Sequence, residues 1–195
     1  MFVYTDGACI NNGKPDAKAG MGIYFGDNDP RNVSKQVTGK QSNNTAELGA
    51  FVELYSIIKE EIESGEDITV FSDSVYAIRC VGEYGKKCEM TFWSKDIPNK
   101  ELVKQAYNLY KNKSNVKFSY IAAHTGKKDE HSIGNDHADH LAYSSIGGKV
   151  PKKDKIYLNV PYSEKENAKQ YGAMWDAKKK KWFVFDMVPE LELYM

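Results

Sequence analysis

Phe2-Val3-Tyr4-Thr5-Asp6-Gly7 decides how this chain is read. A short apolar run of strand composition ends on a carboxylate followed by glycine. A carboxylate at the end of a buried strand is poorly placed for solvent and well placed for a divalent cation. Two further acids stand in comparable places. Asp73 follows the apolar run Val70-Phe71-Ser72, and Glu47 lies in Ser42-Asn43-Asn44-Thr45-Ala46-Glu47-Leu48, where a helix opens. Leu48, Phe51, Tyr55, Ile58 and Ile62 step by three and four along that helix as one apolar stripe. Each acid also has a plain structural reading. Glu47 fits the N3 position of a capping box begun by Asn44, Asp73 fits a helix N-cap, and Asp6-Gly7 fits a turn. Three such acids together, in this order and on these elements, favour a metal site.

Working outward, Met1–Thr5, Met21–Phe25 and Val33–Val37 read as three strands joined by turns, an antiparallel meander. After the long helix, which Ser64-Gly65 ends, come a buried strand at Ile68–Phe71 and a short helix at Ser74–Val81. A helix at Asn99–Tyr110, a strand at Val116–Ile121 with Val116, Phe118 and Tyr120 on one face, and a last helix at Asn135–Ile146 complete the series. The order β-β-β-α-β-α-α-β-α predicts an α/β fold: a five-stranded mixed sheet with helices on both faces. Residues 1–147 form the first domain, 148–155 a linker, and 156–195 a small α+β module rich in lysine and aromatic residues.

Phosphodiester hydrolysis needs an activated water and a stabilised leaving oxygen, which two Mg²⁺ ions roughly 3.5–4 Å apart supply. Mg²⁺ prefers oxygen ligands and keeps waters, so three or four carboxylates on an open face suffice. Asp6 at the centre, with Glu47 and Asp73 at either side, meets that need.

These acids, followed by His124-Thr125-Gly126 and Asn135-Asp136-His137-Ala138-Asp139, resemble type 1 ribonuclease H over about residues 1–147. The resemblance implies a ribonuclease H-like fold and metal-dependent endonucleolytic cutting of the RNA strand of RNA–DNA hybrids, leaving 3′-hydroxyl and 5′-phosphate ends. It implies Mg²⁺ as cofactor, with Mn²⁺ as a substitute. It places the fourth metal ligand at Asp139, with Asp136 as the alternative, and gives His124 a part in proton transfer or product departure. It assigns Asn11, Asn12, Asn43 and Asn44 to 2′-hydroxyl and backbone contacts and Ser42 to a DNA-strand phosphate; all five also fit as turn and cap residues. The family's basic protrusion corresponds to a short, mildly basic stretch from Tyr84 to Lys95, where Phe92 and Trp93 read best as packing residues.

The tail offers a second basic surface. Between positions 152 and 182 nine lysines stand against four acids, and Lys178–Lys181 lies between Trp175 and Trp182. Lysines interleaved with aromatics suit phosphate contact and stacking, so Lys179, Lys180 and Trp182 are candidate substrate contacts. The tail resembles a short module of unsettled function.

Composition excludes little else. The 27 basic and 27 acidic residues balance, so whole-chain charge gives no sign of a nucleic-acid partner. Three cysteines without metal-ligand spacing read as free thiols of a reducing compartment. No apolar run approaches a membrane span, and no signal peptide stands at the start. A soluble cytoplasmic protein without an obligate protein partner is the expectation. Four histidines fall at 124, 131, 137 and 140, but their spacing matches no common zinc finger and no cysteine is near. The rival readings are a non-catalytic binder of RNA–DNA hybrid or double-stranded RNA on the same fold, and a nuclease of related fold acting on DNA junctions. Clustered negative charge gives a pure binder nothing beside phosphates, and the asparagines favour RNA.

Overall fold

The computed structural model describes residues 1–123, 129–148, 155–171, 173–184 and 189–195. The chain divides into two compact units, Met1–Val150 and Pro151–Met195. The expected linker lies largely outside the described residues.

The first unit contains a five-stranded sheet of order β3-β2-β1-β4-β5, built from β1 Phe2–Ile10, β2 Lys18–Tyr24, β3 Val33–Gln36, β4 Ile68–Ser72 and β5 Val116–Tyr120. β1, β2 and β3 run antiparallel, while β1, β4 and β5 run parallel. Helices α1 (Asn43–Ile57), α2 (Lys59–Ser64), α3 (Val75–Val81), α4 (Glu83–Met90) and α5 (Lys100–Tyr110) precede β5, and α6 (Glu130–Ser144) follows it.

α1 begins with a reciprocal cap. The Thr45 N–H donates to Ser42 Oγ at 3.2 Å, and the Ser42 N–H donates to Thr45 Oγ1 at 3.0 Å, an arrangement that contributes about 1 kcal/mol. Sequence spacing alone puts this box at Asn44 and Glu47. The true cap lies two residues earlier and does not use Glu47. The helix is interrupted at Ile58 and resumes as α2, which ends on Gly65 in the left-handed region at φ 84°. Its apolar stripe builds the main core, where Leu48, Phe51, Leu54 and Ile58 meet Val3, Ile23, Ile68, Val70 and Val103. The buried Tyr110 hydroxyl donates to the Phe51 carbonyl at 2.7 Å, so the core carries no orphan there.

α6 lies on β1 and β2 through small residues. A Cβ on Gly22 would lie 2.0 Å from the Ala138 carbonyl oxygen, and one on Gly20 would lie 2.6 Å from that of Ala142. The glycines let the helix backbone rest on the strand.

Several expectations need correction. β1 does not stop at Thr5 but continues through Asp6 to Ile10, paired with β2. Glu83–Met90, read as part of a protrusion, is helical, and beyond it Phe92 and Trp93 have left-handed φ of 53° and 55°. Trp93 packs near Tyr107, whereas Phe92 is 92% exposed. The last helix starts at Glu130, capped by Asp129, rather than at Asn135. Of the alternating residues of β5, Val116 and Phe118 are half-buried and Tyr120 is exposed.

The second unit holds a three-stranded antiparallel sheet of order β6-β8-β7: β6 Ile156–Leu158, β7 Met174–Asp176 and β8 Lys181–Val184. α7 (Lys165–Gln170) supplies Ala168 to a core with Leu158, Ala173, Val184, Leu191 and Tyr194. Asp176 organises the turn into β8. Its carboxylate accepts from the Lys178 and Lys179 N–H groups, the Tyr157 hydroxyl and Lys155 Nζ. The Lys155 hydrogen bond, ahead of the others, holds the Asp176 carboxyl below the usual range.

The close approach of α6 gives a direct expectation. Gly22→Ala should lower the stability of the first unit by about 1–3 kcal/mol, because a backbone oxygen cannot yield to the new methyl. Urea unfolding of the two proteins measures this, and an unchanged midpoint would place α6 farther from the sheet.

Candidate active site

The parallel ladder between β1 and β4 runs from Phe2 opposite Thr69 to Thr5 opposite Ser72. Asp6 and Asp73 are the next residues on the two strands, so both carboxylates leave the sheet at one point. Past that point β1 pairs with β2 alone, with Asp6 opposite Gly22. In parallel sheets the carboxyl ends of the strands are the usual place for a ligand.

Side chains alternate along β1. Ala8 packs with Ala142 of α6, and Tyr4 lies against Gly134 of α6, which puts Asp6 on the α6 side as well. Gly7 faces the other way. A Cβ there would lie 2.5 Å from the Glu47 nitrogen, so only glycine admits the first turn of α1 this close to the strand. The same contact brings Glu47 over the strand beside Asp6.

Asp6, Glu47 and Asp73 each present a carboxylate oxygen, and these atoms lie within 4.8 Å of one another. Asp6 and Glu47 are buried, at 4% and 3% exposure, and Asp73 is half-buried. Asp139, 4% exposed, reaches Asp6 from α6 and is hydrogen-bonded to it. Asp6 is therefore the hub, close to all three of the other acids. Asp136 is half-buried, and its carbonyl is engaged by His140 Nδ1 at 2.7 Å. The sequence reading put Asp139 at the flank of the buried stripe; it lies within it, because α6 is seated on glycines.

The electrostatics follow from this crowding. Burial first, then the charges of Glu47, Asp73 and Asp139, push the Asp6 carboxyl well above the usual range. Burial, then Asp73, raises Glu47 in the same way, against partial relief from the Gly7 N–H and Asp6. The Gly7 N–H also donates to Asp6 Oδ1 at 2.7 Å. Glu47 Oε2 is buried with no hydrogen-bond partner. Such a set either shares protons or surrounds cations, and the orphaned oxygen fits the second role.

The asparagine segments converge on Glu47. Asn12 Oδ1 accepts from the Asn43 N–H at 3.3 Å, and Asn43 Nδ2 points to Glu47 Oε1 at 3.5 Å. Asn11, with φ 55°, donates to Asp16, and Asn44 is exposed. The Ser42 hydroxyl is occupied in the helix cap. Lys179, Lys180 and Trp182 belong to the second unit. His124 lies outside the described residues.

Among the described residues the other histidines are engaged with aromatic rings or backbone. His131 stacks on Phe71 with centroids 4.2 Å apart and bonds Tyr4 through Nδ1, and His137 stacks on Tyr24 at 4.6 Å. Among the described residues the metal-capable group is the Asp6, Glu47 and Asp73 set. The sequence reading used Asn135 only to frame a motif. It is 1% exposed, and neither atom of its amide has a partner. It lies one helical turn before Asp139, on the same face.

Comparison with known proteins accords with this geometry. Residues 1–146 match the family described as RNase H, and residues 155–190 match a family described as Domain of unknown function (DUF5710). A ribonuclease H of Schizosaccharomyces pombe is 37% identical over 145 residues, 72% of this chain and 50% of that protein. The chain thus spans about half the length of several curated relatives it matches. A ribonuclease H of Clostridium botulinum is 30% identical over 151 residues, 75% of this chain and 95% of that protein. The solution structure of the PFV RNase H domain aligns with TM-score 0.56 at 21% identity, covering 74% of this chain and 92% of that one, a likeness of fold. Through its first 146 residues, the chain belongs to the ribonuclease H family, of type 1.

Proposed function

We propose that this protein hydrolyses the RNA strand of RNA–DNA hybrids, with Asp6, Glu47, Asp73 and Asp139 holding two Mg²⁺ ions, for which Mn²⁺ is a substitute. The observation that carries the reading is the convergence of three carboxylate oxygens within 4.8 Å at the end of a parallel ladder. Bound divalent ions supply Lewis-acid stabilisation of the leaving oxygen and a more acidic water. The chain's own residues do the rest. Asp6, within reach of all three other acids, would be the central carboxylate holding the metal. Glu47, Asp73 and Asp139 would complete the set of ligands around it. His124 enters by its place in the family pattern, as the group moving a proton to or from the departing strand.

Asn11, Asn12, Asn43 and Asn44 are the proposed readers of ribose. All four are exposed or half-exposed, Asn43 reaches Glu47 and Asn12 is bonded to Asn43, and a 2′-hydroxyl both donates and accepts. A cavity of about 380 Å³ bordered by Asn44, Tyr76, Arg79 and Tyr84 continues from the start of α1 and offers room for the partner strand. A pure hybrid binder has no use for buried acids that raise one another's pKa beside a polyanion.

Two outcomes are expected. Asp73→Asn should lower hybrid cleavage at least about a hundredfold, the upper range for disturbing a metal site through its supporting partners, while hybrid binding persists. The assay is cleavage of labelled hybrid, single-stranded RNA and double-stranded RNA with Mg²⁺, and full activity in the variant would remove Asp73 from the site. The second concerns protons. Because folded Asp6 and Glu47 have raised pKa values, the stability they contribute is present below the unfolded pKa and lost as pH rises through the folded one. Cation binding favours their ionised forms and must release protons. Calorimetric Mg²⁺ titrations in buffers of different ionisation enthalpy should differ in heat, increasingly so as pH falls. Identical heats would mean the carboxyls are already ionised.

A further inference from the structure

We infer that the second unit carries a binding strip for single-stranded nucleic acid, formed by Tyr162, Lys165, Lys169, Trp182 and Trp175. This site is independent of the carboxylates and of the reaction assigned to them.

Register places the two tryptophans together. Trp175 on β7 is directly opposite Trp182 on β8, so both side chains leave the same face of the small sheet. Their rings meet edge-to-face with centroids 5.4 Å apart. Trp182 is the anchored member: it is opposite Leu158 and packs against the core that α7 covers. Trp175, on the edge strand, is 51% exposed. An exposed indole fixed by a half-buried partner packed on the core is a rigid surface with a free π-face.

Cations extend the strip along α7. Lys169 Nζ lies 5.8 Å from the Trp182 ring centroid, and Lys165, one turn earlier on the same face, lies 3.9 Å from that of Tyr162. Tyr162 is 81% exposed. Tyr162 at one end and the two tryptophans at the other thus flank the ammonium groups of Lys165 and Lys169. Glu166 pairs with Lys169 at 2.8 Å, an exposed pair that a phosphate can displace.

The lysines singled out in the sequence belong elsewhere. Lys179 Nζ sits over Tyr157, which alternates to the opposite face of β6 from Leu158, and its backbone N–H is tied to Asp176. Lys180 occupies the turn with φ 51°. Of the three residues first singled out, Trp182 remains in the strip, joined by lysines of α7.

Free base faces exist in single strands, whereas a duplex stacks them internally. Rings flanking cations on one open strip therefore suit an unpaired DNA or RNA strand, whose bases stack while its phosphates meet the lysines.

The test titrates the full chain, without divalent metal, into labelled oligothymidylate and oligouridylate of about 15 nucleotides, within the site sizes of small single-strand binders. Binding to both strands is expected, with Trp175→Ala weakening it at least about fivefold and Trp175→Phe staying within about twofold. Lys165→Gln with Lys169→Gln should reduce the salt slope by about one to one and a half, and Glu166→Gln should tighten binding. No binding by the full chain, or affinity unchanged in Trp175→Ala, overturns the proposal. Because oligothymidylate is not a substrate of the proposed reaction, failure here and failure of hybrid cleavage are separate results.

Discussion

The first unit is arranged around a repulsion. Two carboxylates leave adjacent parallel strands at the same level, a third is laid over them by α1, and a fourth comes from α6. At an effective dielectric constant near 20, each ionised pair at about 5 Å costs roughly 3 kcal/mol. Nothing in the packing requires these acids together, and several features exist to permit it. Gly7 admits α1, Gly22 admits α6, and the Ser42–Thr45 cap closes the helix start without using Glu47. The apolar core on the α1 face supplies the stability that the site gives up, the usual trade at a functional centre.

Much of this was legible in the chain. Strong apolar runs marked the strands, and the stripe from Leu48 to Ile62 marked α1. What stayed hidden was long-range pairing. Asp6 looked like a strand end because the apolar run stops there. The strand continues because β2, with its glycines, offers a partner for every residue to Ile10. The cap was misplaced because Asn44 and Glu47 fit the same spacing as Ser42 and Thr45, and only geometry separates them. α4 was missed because Glu83–Met90 is mostly polar and buries only Gly85. The buried position of Asp139 depends on glycines more than a hundred residues away.

The second unit shows a different limit of sequence reading. A run of four lysines between two tryptophans invites the reading that the run itself is the binding surface. In the fold, the first three lysines form a turn held by Asp176 and the fourth begins β8, while the cation over Trp182 is Lys169 of α7. Alternation along a three-residue strand decides which aromatic ring faces which lysine, and a sequence does not reveal which face a helix will cover.

The measurement closest to the centre of this account is thermal unfolding of the parent chain and Asp6→Asn, each with a chelator and with Mg²⁺, at neutral pH. If buried carboxylates repel one another until cations join them, the variant melts higher than the parent in chelator. Mg²⁺ then raises the parent far more than the variant. A variant that melts lower in chelator, with Mg²⁺ shifting both proteins equally, would contradict the account, since the acids would then be held by bonds that have nothing to do with metal.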